Sequence, residues 1–186
     1  MSSALKDKTV AILATDGFEQ SELIEPRKAV EQAGATTRLL SIKEGEIQGM
    51  QHDKPGERLK VDGLVADASI DEFDALILPG GVANPDRLRT DDAAVAFVRD
   101  FARSGKPIGV ICHGPWTMIE ADVVRGVRMT SWPSVRTDLR NAGAEVVDEE
   151  VVTDKGIVSS RKPDDLPAFC KKIVEEFAEG RHAPRS

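Results

Sequence analysis

Residues 107–117 read Pro-Ile-Gly-Val-Ile-Cys-His-Gly-Pro-Trp-Thr, and this stretch decides the fold. A short apolar run, too brief for a helix, leads straight into Cys112 and His113. Gly114 and Pro115 follow, and proline suits the first position of a helix. A cysteine between a buried strand and a helix start predicts a tight bend with the sulfur at the carboxyl edge of a parallel sheet, the geometry of a nucleophile elbow. The first N–H groups of the following helix would favour thiolate over thiol there, lowering a pKa that is ordinarily near 8.5.

Working outward, short β-branched runs alternate with amphipathic stretches, which predicts a mostly parallel sheet with helices on both faces. Strands are expected at residues 9–14, 36–41, 75–78 and 108–111, with later ones at 128–130, around Val146 and at 157–158. A first helix carries Leu23, Ala29, Val30 and Ala33, and its main part is expected to begin at Pro26. Residues 43–67 are rich in glycine and charge and read as an excursion of small hairpin strands. Further helices are expected at 91–104, capped by Asp91, then at 115–121, 135–142 and 164–179.

A length of 186 residues fits one well-buried domain, expected to span 1–186. The formal charge of −7 argues against a phosphate backbone as partner. The one basic cluster, Arg181-His182-Ala183-Pro184-Arg185, is expected to keep the chain end solvated. No apolar run approaches the roughly 20 residues that span a bilayer, and the opening Met-Ser-Ser-Ala-Leu-Lys has no signal-type apolar core. The two cysteines, Cys112 and Cys170, lack metal-ligand spacing, so neither a metal nor a cofactor is expected. A reducing cytoplasm is the expected compartment, where a free thiol persists.

Three loops should leave the carboxyl ends of parallel strands: residues 15–19, 79–86 and 112–114. They would bring together the Cys112 thiol, the His113 imidazole, the acids Glu19 and Asp86, and the pair Gly80-Gly81. The N–H after a nucleophile usually enters the oxyanion hole, which assigns that role to His113. Glu19, just past the first strand, is the acid expected to reach the crevice. A carboxyl against the sulfur must hold its proton, since carboxylate and thiolate repel one another. Cys170 lies on the apolar face of the last helix and reads as core.

Four segments, Leu-Pro-Gly-Gly (78–81), Gly-Lys-Pro-Ile-Gly-Val-Ile-Cys-His-Gly-Pro (105–115), Met-Thr-Ser-Trp-Pro-Ser (129–134) and Ser-Arg-Lys-Pro-Asp-Asp-Leu-Pro-Ala-Phe (160–169), resemble the PfpI family. These are intracellular cysteine peptidases and stress proteins related to the Parkinson-disease protein deglycase and to class I glutamine amidotransferase domains. The resemblance implies a flavodoxin-like α/β sandwich assembled as a homodimer or a larger homo-oligomer. It also implies Cys112 as nucleophile, Glu19 as the acid bonded to it, and Gly81 and His113 N–H groups as the oxyanion hole. In the peptidase branch His113 would be the base, oriented by an acid from a neighbouring subunit at the position of Asp86. Here the chain departs from the pattern: Asp stands in place of Glu, on a loop one residue longer around Asn84.

The resemblance thus implies a stress-associated cysteine hydrolase, foremost a peptidase. The alternative is a glyoxalase or deglycase acting on methylglyoxal or its adducts. That chemistry needs no triad, and the change at Asp86 favours it. A non-enzymatic, redox-responsive thiol is a third expectation.

Overall fold

The structure, a computed structural model, describes residues 3–185. The reading of the opening residues therefore falls partly outside the described residues. β1 (Thr9–Leu13) leads through the short β2 (Phe18–Glu19) into α1 (Gln20–Gln32), and β3 (Thr36–Ser41) returns to the sheet. β4 (Glu46–Gln51) and β5 (Lys54–Lys60) form the expected hairpin, followed by β6 (Gly63–Leu64). Next come β7 (Ala75–Leu78), α2 (Ala83–Leu88), α3 (Asp92–Arg103), β8 (Ile108–Ile111) and α4 (Pro115–Glu120). The last third holds β9 (Arg128–Met129), α5 (Arg136–Asn141), β10 (Glu145–Val146), β11 (Val152–Asp154), β12 (Ile157–Ser160) and α6 (Leu166–Glu179).

The main sheet has seven strands in the order β11-β12-β8-β7-β1-β3-β6, parallel except for β11. β9 and β10 pair with each other, and β2 adds to the β4–β5 hairpin. Side chains of β1 alternate between two cores. Val10 and Ile12 face Leu23, Val30, Phe169 and Ile173 of α1 and α6, while Ala11 and Leu13 face the layer holding Val98, Phe101 and Met118. This is the three-layer arrangement that the alternating pattern predicts.

α1 departs from expectation: it starts at Gln20, and Pro26 lies inside it. An interior proline forfeits the bond to the carbonyl four residues earlier. That loss is offset because Glu22, Leu23, Pro26 and Val30 are all buried along one stripe, against the sheet and α6.

The basic tail is not a solvated end. Arg185 donates through Nε to the Lys155 carbonyl at 2.7 Å and through Nη1 to the Ala102 carbonyl at 2.6 Å. Arg181 donates to the Ser104 carbonyl, and the His182 N–H to the Gly105 carbonyl at 2.8 Å. A guanidinium thus adds a second donor to the Ala102 carbonyl at the end of α3, where the helix dipole favours a cation. Burial pulls the Arg185 pKa down to about 10. Arg185→Ala should cost about 1–3 kcal/mol, read as a lowered urea midpoint at unchanged slope.

Candidate active site

In the sheet β7 lies between β1 and β8, so the three loops leaving their carboxyl ends are neighbours. Cys112 occupies the first residue after β8 with φ of 63°, left-handed backbone that a cysteine adopts at a cost of about 1–2 kcal/mol. The bend is held from both sides. Its N–H donates to the Ser160 carbonyl at 3.1 Å, and its carbonyl accepts from the Trp132 N–H at 3.0 Å. The predicted elbow is present. Its sulfur opens on a cavity of about 600 Å³, lined among others by Glu19, Met50, Val82 and Trp132.

The acid against the sulfur is Glu22, not Glu19. Glu19 ends β2, pairs there with Met50, and turns its carboxylate to the hairpin, accepting from the His52 N–H at 3.2 Å. It stands half-buried on the cavity wall. Glu22, nearly one turn along α1, is fully buried. Its Oε1 accepts from the Gly80 N–H at 3.0 Å, and its carboxyl is hydrogen-bonded to the Cys112 thiol. Oε2 is buried without a hydrogen-bond partner, an environment that disfavours the ionised carboxylate.

Glycine is required between them. A Cβ on Gly80 would lie 2.5 Å from Glu22 Oε1 and 2.6 Å from the Cys112 Cβ. Gly81 has φ of 80° and would drive a Cβ into the Gly17 carbonyl. Only glycine meets both demands.

Burial, reinforced by the nearby Glu19 carboxylate, pushes Glu22 up to about 8, so at neutral pH it holds its proton. Contrary to the sequence-based expectation, the Cys112 thiol is also pushed up, first by burial and then by the negative charge of Glu22, while the Gly81 and His113 N–H groups oppose the shift. Desolvation outweighs the short helix behind the elbow. The two groups titrate as one pair, and the first proton to leave belongs to both. In the singly protonated pair, a shift of the remaining proton to Glu22 puts the charge on sulfur, where the Gly81 and His113 N–H groups favour it.

His113 reaches the sulfur: Nδ1 lies 3.2 Å from Sγ. Its ring is held between Trp116 and Trp132, with centroids at 5.0 and 5.8 Å. Burial lowers its pKa, so near neutral pH it is an uncharged acceptor for the thiol proton. With Nδ1 so used, Nε2 carries the hydrogen and faces Ser134 Oγ at 3.5 Å. Asp86 is exposed on α2 and does not line the cavity. Within one chain the structure therefore brings together Cys112, His113 and Gly81, adds Glu22, and leaves Asp86 outside.

Glu22 was legible only in part. Its spacing from Pro26 and Val30 puts an acid on the buried stripe of α1, a signal that points to function, but Glu19 is closer in sequence to the strand end. The stacking of Trp132 on His113 joins segments with no sequence cue to their contact.

The model of the DJ-1/PfpI family matches residues 8–176. The chain belongs to the DJ-1/PfpI family. It is 44% identical over 168 residues to a putative cysteine protease, YraA, of Bacillus subtilis, covering 90% of this chain and 96% of that one. It has the same identity and coverage with protein/nucleic acid deglycase 2 of Escherichia coli. Among solved structures, a two-domain protein of Anabaena variabilis with DJ-1/ThiJ/PfpI-like and ferritin-like domains superposes with a TM-score of 0.86 at 34% identity, covering 91% of this chain and 48% of that one. The flavodoxin-like architecture expected from the sequence is thus that of the DJ-1/PfpI fold. Members of the family carry both peptidase and deglycase names, both of them hydrolytic activities. Among the described residues no helix is long and apolar enough to cross a membrane.

Proposed function

We infer that this DJ-1/PfpI protein is a cysteine-dependent hydrolase of the deglycase and glyoxalase type, acting on methylglyoxal or its adducts. One arrangement carries the reading: Glu22, fully buried with Oε1 on the Gly80 N–H, lies beside Cys112 across Gly80, and burial favours its protonated form, giving an acid–nucleophile pair within one chain. Sulfur adds to the aldehyde carbon, and the oxygen that gains charge is held by the Gly81 and His113 N–H groups. Glu22, having given up its proton, can then accept the proton leaving the former aldehyde carbon, and its conjugate acid returns one to the neighbouring carbon. The resulting thioester is hydrolysed by water, releasing lactate and the thiol, with no external oxidant.

The peptidase reading instead needs Asp86 of a second copy to orient His113, and the exposure of Asp86 on α2 leaves it available for such a contact. The two readings separate when purified protein meets methylglyoxal in one assay and a fluorogenic peptide in another. Lactate formation that survives Asp86→Ala at unchanged assembly is the expected result. Peptide cleavage lost in Asp86→Ala, without lactate formation by the wild type, overturns the proposal in favour of the peptidase.

A further inference from the structure

The start of α2 carries a polar side chain that the reaction above does not use. Asn84 is completely buried. Its Oδ1 accepts from the Thr15 N–H at 2.8 Å, while Nδ2 donates to the Pro79 carbonyl at 3.1 Å and to the Gly80 carbonyl at 3.0 Å. Exchanging the amide's oxygen and nitrogen would set donor against donor and acceptor against acceptor, so its orientation is unambiguous. One side chain thereby ties the loop after β1 to the loop after β7.

The Gly80 carbonyl and the Gly81 N–H belong to one planar trans peptide and point in opposite directions. Because both flanking residues are glycine, rotation of this peptide meets little steric resistance. In the observed orientation the carbonyl meets Asn84, with the Glu19 N–H a longer second donor at 3.4 Å, and the N–H on the opposite side of the peptide is turned to the pair of Cys112 and Glu22. A flipped peptide would turn its carbonyl towards the sulfur, opposing both thiolate and oxyanion.

We propose that Asn84 is a positioning residue, whose amide locks the Gly80–Gly81 peptide so that the Gly81 N–H is held on the Cys112 sulfur. The bond to the carbonyl also polarises the peptide and strengthens the N–H as a donor. The proposal rests on Cys112 being the nucleophile of the function inferred above, but its test needs no substrate.

Asn84→Asp keeps the shape and the Thr15 acceptor while replacing the amide donor. Asn84→Ser is too short to reach Gly80. In each, the pH profile of Cys112 alkylation by iodoacetamide is followed by peptide mass spectrometry, so that Cys170 is read separately. The expected result is a midpoint raised by about one pH unit, the size of one hydrogen bond to a charged acceptor. Lactate assays should show kcat lowered about ten-fold and KM changed far less. A merely structural asparagine would lower the melting temperature and leave the midpoint in place, and that outcome overturns the proposal. Should neither variant fold, the wild type decides by NMR: a Gly81 amide proton that follows the Cys112 midpoint, with a through-hydrogen-bond coupling between Asn84 Nδ2 and the Gly80 carbonyl carbon, supports it. Absence of either signal overturns it. A raised midpoint in a protein that never makes lactate would refute the function and leave the positioning role standing.

Discussion

Cys112→Ala should leave a folded protein whose lactate formation from methylglyoxal is reduced by about 10⁴-fold or more, a loss typical of removing a nucleophile. Four groups converge on that sulfur: the Glu22 carboxyl, His113 Nδ1 at 3.2 Å, and the Gly81 and His113 N–H groups. Stability should change little. Cysteine packs as a small hydrophobe, and alanine removes one atom beside an open cavity. The backbone at φ of 63° stays as strained for alanine as for cysteine. The check is paired: a melting temperature within a few degrees of wild type, alongside the rate. A Cys112→Ala protein that still forms lactate at the wild-type rate would remove the thiol from the mechanism.

Glu22→Gln should be slower yet more stable, with an advantage that depends on pH. The folded-state pKa of Glu22 is raised from 4.5 to about 8. Below pH 4.5 both folded and unfolded chains hold this proton, and the group contributes nothing to the pH dependence. Between pH 4.5 and 8 the folded protein retains a proton that the unfolded chain has released, so stability falls as pH rises. Above 8 the penalty is complete. At about 1.4 kcal/mol per unit its ceiling is of the order of 5 kcal/mol. Glutamine keeps an acceptor for the Gly80 N–H and has nothing to ionise. Its denaturant midpoint should therefore gain on wild type from pH 5 to pH 8.5 and converge with it near pH 4.

The rate should move oppositely. In the wild type the pair loses its first proton as pH rises through about 8, and only the singly protonated pair can place a charge on sulfur, so activity should climb through that pH. Glu22→Gln removes the proton carrier, a loss of about 10²–10⁴-fold, and shifts the alkaline limb away from 8. Denaturation curves of the two proteins that stay parallel across this range would show that Glu22 is not held protonated by the fold.

The order of strands and helices was readable because burial imposes it locally. Continuous apolar runs such as Ile108–Ile111 and Ala75–Leu78 are buried on both faces of the sheet, and α3 begins where Asp91 caps it and ends before Gly105. Pro26 misled because its cost is local and what offsets it is not. The basic tail misled for the same reason: its partners are the carbonyls of Ala102 and Lys155, far from it in the chain.

At the candidate site the division follows the same line. The elbow at Cys112, the donors at Gly81 and His113, and the departure around Asn84 and Asp86 are contiguous signals, written in a few residues each. Sequence alone determined that a thiol sits at a strand-to-helix bend beyond the carboxyl end of the sheet. Tertiary structure decided which acid meets it: the pitch of α1 carries Glu22 under Gly80 and turns Glu19 to the hairpin. It also decided the thiol's electrostatics, since desolvation by the surrounding layers outweighs the helix start that is visible in the sequence.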